Sequence, residues 1–80
     1  MKDVLEYVAR AIVDEPDAVE VTEVPGERSV ILQLRVAPDD MGKVIGKRGR
    51  TVRAIRSLVR AAGSREGVTP LVEIVEDQHG

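Results

Sequence analysis

Apolar residues near the start of the chain recur at helical spacing. Val4, Val8 and Ile12 lie four residues apart, which predicts an amphipathic helix because residues at this spacing share one face. Pro16 should end the helix near Asp14, since a proline disfavours the helical conformation of the residue before it.

Two strands are predicted after this helix. Val19 and Val21 alternate with polar neighbours, and Pro25-Gly26 is a turn signal, so we expect the first strand to return as a hairpin. The second strand is clearer, although Ile31 lies on its opposite face. The apolar residues that share its main face are Val30, Leu32, Leu34 and Val36.

Two helices and a last strand follow. Residues 38–45 predict a short helix that stops at Gly46. A longer helix is predicted from Arg50 to about Ala62, with Gly63 as its C-terminal stop. Leu71 to Val75 should form the last strand. The element order is therefore α-β-β-α-α-β, an α+β fold with a three-stranded sheet and helices packed on one face.

Acidic residues stand where helix starts are predicted. Asp3 followed by Glu6 resembles a capping box. Asp39 and Asp40 lie at the start of the short helix, where the helix dipole favours negative charge. They could bind a cation in principle, but capping is the favoured interpretation.

Composition limits the class of protein. Eighty residues suggest one domain spanning 1–80, without cysteines and with Tyr7 as the one aromatic residue. Apolar runs are far shorter than the roughly 20 residues that cross a bilayer, and charged residues interrupt any signal peptide. We therefore expect a cytoplasmic protein that does not bind membranes.

Positive charge is concentrated in one segment. The net charge is −2, yet residues 43–60 hold seven Lys and Arg and no Asp or Glu, so the remaining residues carry −9. Such segregation indicates one surface that attracts polyanions. On the longer helix the cations form a stripe nearly opposite the apolar stripe. The cations are Arg50, Arg53, Arg56 and Arg60, and the apolar residues are Val52, Ile55, Leu58, Val59 and Ala62.

The candidate site is the tetrapeptide Gly46-Lys47-Arg48-Gly49. Two glycines allow a tight turn and a close approach of a polyanion backbone, because no Cβ blocks it. The two cations between them can meet its phosphates. By themselves, Gly46 and Gly49 could simply be a helix C-cap and a loop glycine, but two flanking helices and the Lys-Arg pair favour the functional interpretation.

Other chemistries fit less well. The glycine spacing matches neither a P-loop nor a dinucleotide fingerprint. With Tyr7 alone, base stacking on aromatic platforms is not expected. His79 lies next to the C-terminus and no nucleophile has a base nearby in sequence, so we expect no catalytic residue, metal, cofactor or small-molecule substrate. A DNA-binding helix-turn-helix and a protein-interaction or dimerisation module remain as alternatives.

Residues 41–55 closely resemble the KH signature V-I-G-x-x-G-x-x-I, with Val52 in place of its second Ile. The element order is similar to the type II form of the KH fold. In length and order the whole chain looks like the stand-alone bacterial KH-domain proteins of the KhpA family, non-catalytic binders of single-stranded RNA.

This resemblance implies roles for individual residues. The 46–49 turn would contact the backbone of about four nucleotides. Val44, Ile45 and Val52 would help form an aliphatic groove under the bases, although the same residue types could belong to the core. The flanking cations would be Lys43, Arg50 and Arg53. The resemblance further implies an RNA chaperone or post-transcriptional regulator that forms a homodimer or pairs with a larger KH-domain protein.

Overall fold

The computed structural model describes residues 1–76, and His79 lies outside them. The predicted order α-β-β-α-α-β is confirmed, as is the α+β class. Short 3₁₀ turns at Pro16–Ala18, Pro38–Asp40 and Lys47–Gly49 join some of the elements. The helices and strands are α1 Lys2–Ile12, β1 Glu20–Pro25, β2 Ser29–Val36, α2 Met41–Ile45, α3 Arg50–Glu66 and β3 Thr69–Glu76.

The three strands form one mixed sheet in the order β1-β2-β3. β1 pairs antiparallel with β2 through the predicted hairpin, in which the Gly26 N–H donates to the Ser29 carbonyl at 2.7 Å. β3 pairs parallel with β2, because α2 and α3 carry the chain back to the starting end of the sheet. β1 and β3 are therefore the two edges of this sheet.

The core lies between one face of the sheet and the helices. The alternation predicted for β2 is confirmed, since Leu32, Leu34 and Val36 are buried and Val30 is partly buried. β3 alternates in the same way, with Val72 inward and its neighbours exposed. The helices contribute the remaining aliphatic side chains of this core, mainly Leu5, Ala9, Val44, Ile55 and Val59.

The predicted capping box at the start of α1 is wrong. α1 begins at Lys2, the cap residue is Met1, and no side chain caps its N-terminus. Glu6 instead forms ion pairs along the helix with Lys2 and Arg10, each four residues away. α1 ends at Ile12, two residues earlier than predicted.

The predicted end of α3 is also wrong. α3 continues through Gly63, which is buried, and ends at Glu66, with Gly67 in the left-handed conformation as its C-cap. A Cβ on Gly63 would lie 2.6 Å from Cδ of Pro70, so this glycine permits close packing between α3 and β3. Leu58, expected on the apolar face, is 52% exposed.

Candidate nucleic-acid interface

The turn between α2 and α3 has a backbone that depends on glycine at its first position. Gly46 has φ 76° and ψ 173°, a combination that only glycine adopts readily. A Cβ at this position would lie 2.1 Å from the hydroxyl oxygen of Thr51 and 2.8 Å from its backbone nitrogen. The break between the helices is therefore fixed by Gly46 and by the first turn of α3 that packs against it.

The rest of the turn continues with left-handed backbone. Arg48 has φ 57° and ψ 26°, and Gly49 has φ 73° and ψ 15°. The Gly49 N–H donates to the Gly46 carbonyl at 3.2 Å. Within residues 1–76, the N–H groups of Lys47 and Arg48 have no backbone acceptor. The turn thus presents two exposed cationic side chains beside backbone donors that an anion can accept from.

Arg53 supports this turn from α3. Its guanidinium donates to the carbonyl of Arg48 at 2.5 Å and to the carbonyl of Gly49 at 3.3 Å. A non-glycine residue such as Arg48 in the left-handed region costs on the order of 1 kcal/mol. The two hydrogen bonds from Arg53 help to hold that conformation. Arg53, expected only to flank the turn, is therefore positioned to shape it.

Lys43 is engaged on the α2 side of the turn. Its ammonium group forms an ion pair and hydrogen bond with the carboxylate of Asp14. This hydrogen bond, with the attraction of Asp14 and Asp40, raises the pKa of Lys43 above its ordinary value. The Lys43 cation stays charged but is already partnered, unlike Lys47 and Arg48, which have no carboxylate within 4.0 Å among residues 1–76.

Asp40 anchors α2 rather than capping it, which corrects the capping interpretation. Its side chain is 1% exposed and makes no cap hydrogen bond. Its two carboxylate oxygens accept from the backbone N–H groups of Asp14 and Glu15 at 3.0 and 3.1 Å. The segment after α1 is thereby tied to the start of α2, six residues before Gly46.

The three apolar residues expected to line a groove differ in exposure. Val44 is 0% exposed and belongs to the core, and Val52 is 8% exposed. Ile45 is 38% exposed, so it presents the largest apolar surface of the three next to the turn. Arg50, Arg53, Arg56 and Arg60 are all exposed along α3.

The structure adds residues that the sequence analysis did not single out for the site. Thr51 leaves no space for a side chain at Gly46, and Asp14 pairs with Lys43. Arg56 donates to the Val72 carbonyl at 3.3 Å, across to β3. A β-branched residue two positions after the second glycine was a visible signal for Thr51, whereas the contacts of Asp14 and Arg56 depend on the tertiary fold.

Among the described residues, no helix is long and apolar enough to cross a membrane. The same residues contain no group of three or more His, Cys, Asp or Glu side chains that could hold a metal ion.

The chain has the order α-β-β-α-α-β, a mixed three-stranded sheet and a glycine-bounded turn between α2 and α3. Together these features define a type II KH domain. A likeness in fold alone is found with a crystal structure of Era from Aquifex aeolicus. It has a TM-score of 0.58 at 16% identity and covers 95% of this chain but only 31% of the Era chain.

Sequence comparisons specify the family. The family model described as "KhpA/KhpB, KH domain" matches residues 2–74. The protein named "RNA-binding protein KhpA" of Clostridium acetobutylicum is 55% identical over 75 residues, which make up 94% of this chain and all of that protein. Its namesake in Aquifex aeolicus is 46% identical over 76 residues, 95% of this chain and 96% of that protein. The chain therefore belongs to the KhpA/KhpB family of KH domains.

Proposed function

We propose that this protein binds single-stranded RNA without catalysing a reaction, and that the turn of residues 46–49 clamps the RNA backbone. The observation that carries the proposal is the pair of exposed cations at Lys47 and Arg48, which have no carboxylate within 4.0 Å among residues 1–76 and lie on a turn with two free backbone N–H donors. The relatives named as RNA-binding proteins support it.

The direct test reverses the charge of the turn. In Lys47→Asp/Arg48→Asp, binding to a short single-stranded RNA should be lost, while the circular dichroism spectrum and thermal unfolding stay unchanged. Arg28→Asp/Arg65→Asp is the matched control, because both residues are exposed, lack an ion pair among residues 1–76 and produce the same change in net charge. If RNA binding survives in the first variant, the clamp lies elsewhere.

The dependence of affinity on salt measures how many phosphates are held. For two to four phosphates, the slope of log K against log salt should be about −1.5 to −3, since single strands give about 0.7 per phosphate. A salt-independent affinity would argue against a phosphate clamp. Tighter binding to duplex DNA than to single-stranded RNA would favour the helix-turn-helix alternative instead.

A site for about four nucleotides carries little sequence information, which fits an RNA chaperone or post-transcriptional regulator better than a selective repressor. Pairing with a second copy or with a larger KH-domain protein would add a second RNA site and raise the affinity.

One structural observation favours such pairing. Leu58 is half exposed on α3, beside an apolar surface formed by Met1, Val4, Ala61 and Ala62. Leu58→Glu should reduce any dimer seen in sedimentation experiments, whereas Leu71→Glu, an equally exposed leucine on β3, should not. A pull-down complex that is insensitive to ribonuclease and to the turn variant would favour an interaction module instead.

A further inference from the structure

The two sides of the turn differ in the charge that they offer to an RNA strand. On the α2 side, Lys43 is paired with Asp14. Two further carboxylates are exposed there, at Glu15 next to Asp14 and at Asp39 four residues before Lys43. On the α3 side, no arginine has a carboxylate within 4.0 Å among the described residues. A phosphate backbone that leaves the turn is therefore repelled on one side and attracted on the other.

The α3 arginines form a track that leads away from the turn. Arg53, Arg56 and Arg60 lie within about 60° of one another around the helix, at 100° per residue. All three are exposed. Arg60 lies seven residues after Arg53, so the track extends about 10 Å at 1.5 Å per residue.

Contacts with β3 hold part of this track in place. β3 is an edge strand of the sheet, and the Thr69 N–H faces the β2 side, where it donates to the Arg28 carbonyl. The backbone N–H and C=O groups of successive strand residues point alternately to the two sides of the strand, so those of Val72, and the carbonyl of Pro70, which has no N–H, point away from β2. Arg56 donates one hydrogen bond to the Val72 carbonyl, which leaves most of its donors available.

The far end of the track opens into a shallow depression between α3 and β3. This depression is lined by Arg60, Ser64, Gly67, Val68, Thr69 and Pro70. It combines one guanidinium with two hydroxyl groups, all on exposed residues. These are the groups that proteins use to contact nucleic-acid phosphates.

From this arrangement we infer that the RNA site is longer than the four nucleotides of the turn and continues along α3, past Arg56, to a second phosphate subsite at Arg60, Ser64 and Thr69. This inference rests on the proposed function. A nucleic-acid strand advances at least about 3.4 Å per nucleotide along its axis, so the track of about 10 Å accommodates about two to three further nucleotides.

The test is a length series of oligouridylates of four, six, eight and ten nucleotides, titrated by NMR at several salt concentrations. An eight-mer can place different four-nucleotide stretches on a four-nucleotide site, which by itself raises its apparent affinity. For the wild type, the eight-mer should bind more tightly than this statistical effect explains. Its salt slope should be steeper than that of the four-mer by about 1.4, which corresponds to two more phosphates.

The variant Arg56→Gln/Arg60→Gln should remove this extra slope and weaken the eight-mer about tenfold, since an exposed ion pair contributes up to about fivefold. Four-mer affinity should stay within about twofold. Arg28→Gln/Arg65→Gln is the control for net charge, because Arg65 lies on α3 but outside the track.

The inference is overturned if the variant keeps the steeper slope, if it weakens four-mer and eight-mer equally, or if the control behaves identically. Failure of the proposed function has a different signature, namely four-mer binding that survives charge reversal of Lys47 and Arg48. A four-mer that depends on the turn, combined with a flat length series, overturns only the longer site.

Discussion

The Thr51 side chain fills the space that a Cβ on Gly46 would occupy. A Cβ on Gly46 would come within 2.1 Å of the Thr51 hydroxyl oxygen and 2.6 Å of the Thr51 Cβ. The first residue of the turn and the first turn of α3 are therefore in mutual contact, and the shape of the candidate clamp depends on this contact.

Gly46→Ala should lower the free energy of unfolding by about 2–4 kcal/mol, because it adds backbone strain to a steric clash. Binding of single-stranded RNA should weaken with it. Gly42→Ala is the control: a Cβ there meets nothing within 4 Å, and alanine in a helix should stabilise the protein by up to about 1 kcal/mol. Urea unfolding of both variants measures the difference, and equal effects would contradict the contact.

Arg53 should be sensitive to its geometry as well as to its charge. Arg53→Lys keeps the cation but cannot reproduce the two hydrogen bonds to the carbonyls of Arg48 and Gly49. RNA affinity should fall about three- to tenfold, nearly as far as in Arg53→Gln. Arg50→Lys, whose arginine makes no such contact, should retain its affinity. Wild-type affinity in Arg53→Lys would mean that only the charge of Arg53 matters.

The parts of the fold that the sequence predicted are those with a local cause. Val30, Leu32, Leu34 and Val36 alternate because one face of β2 is buried. The hairpin at Pro25-Gly26 follows from turn chemistry. The break at Gly46 was visible for the same reason, since glycine permits a backbone that other residues avoid.

The parts that the sequence did not predict depend on partners far along the chain. Asp40 binds backbone groups 25 and 26 residues away, so its sequence neighbours suggested only a cap. The sequence suggested Gly63 as the end of the helix, but it lies inside α3, where a glycine is needed because Pro70 packs closely against it. Leu58 matched the apolar stripe, yet the described fold leaves it 52% exposed. Helical spacing identifies a face but does not show how far the packing extends across it.

The two glycines near the end of α3 provide a test of the corrected boundary. Gly63→Ala should destabilise the protein by about 1–3 kcal/mol despite the better helix propensity of alanine, because its Cβ would meet the Pro70 ring at 2.6 Å and the Val68 carbonyl at 2.9 Å. Gly67→Ala meets no atom within 4 Å and should cost about 1 kcal/mol through its left-handed backbone. Denaturant unfolding distinguishes them, and stabilisation by Gly63→Ala would contradict the packing.

Asp40 should contribute strongly to stability. Asp40→Asn removes the charge and one of the two oxygen acceptors, so one N–H of the Asp14–Glu15 segment loses its partner. The expected loss is about 1.5–3 kcal/mol, the range for hydrogen bonds to charged groups. Asp39→Asn, on an exposed neighbour, should change stability by less than about 0.5 kcal/mol. Similar effects in both variants would show that the buried carboxylate is not the anchor.

The Lys43–Asp14 pair should make stability depend on pH in the alkaline range. The hydrogen bond to Asp14 raises the pKa of Lys43 in the folded state above its ordinary value of 10.5. A raised pKa means that the folded state holds the proton more tightly than the unfolded chain. The contribution of the pair is therefore fully present below pH 10.5 and is lost as the pH rises through the folded-state pKa.

Urea unfolding from pH 7 to 12 should show Asp14→Asn less stable than the wild type by a constant amount at lower pH, with the difference disappearing at the alkaline end. Asp17→Asn, an exposed residue without an ion pair among residues 1–76, should follow the wild type throughout. At pH 7, Asp14→Asn should also release Lys43 toward RNA and steepen the salt slope by about 0.7. A stability difference that persists after Lys43 has lost its proton would show that Asp14 acts through some contact other than this pair.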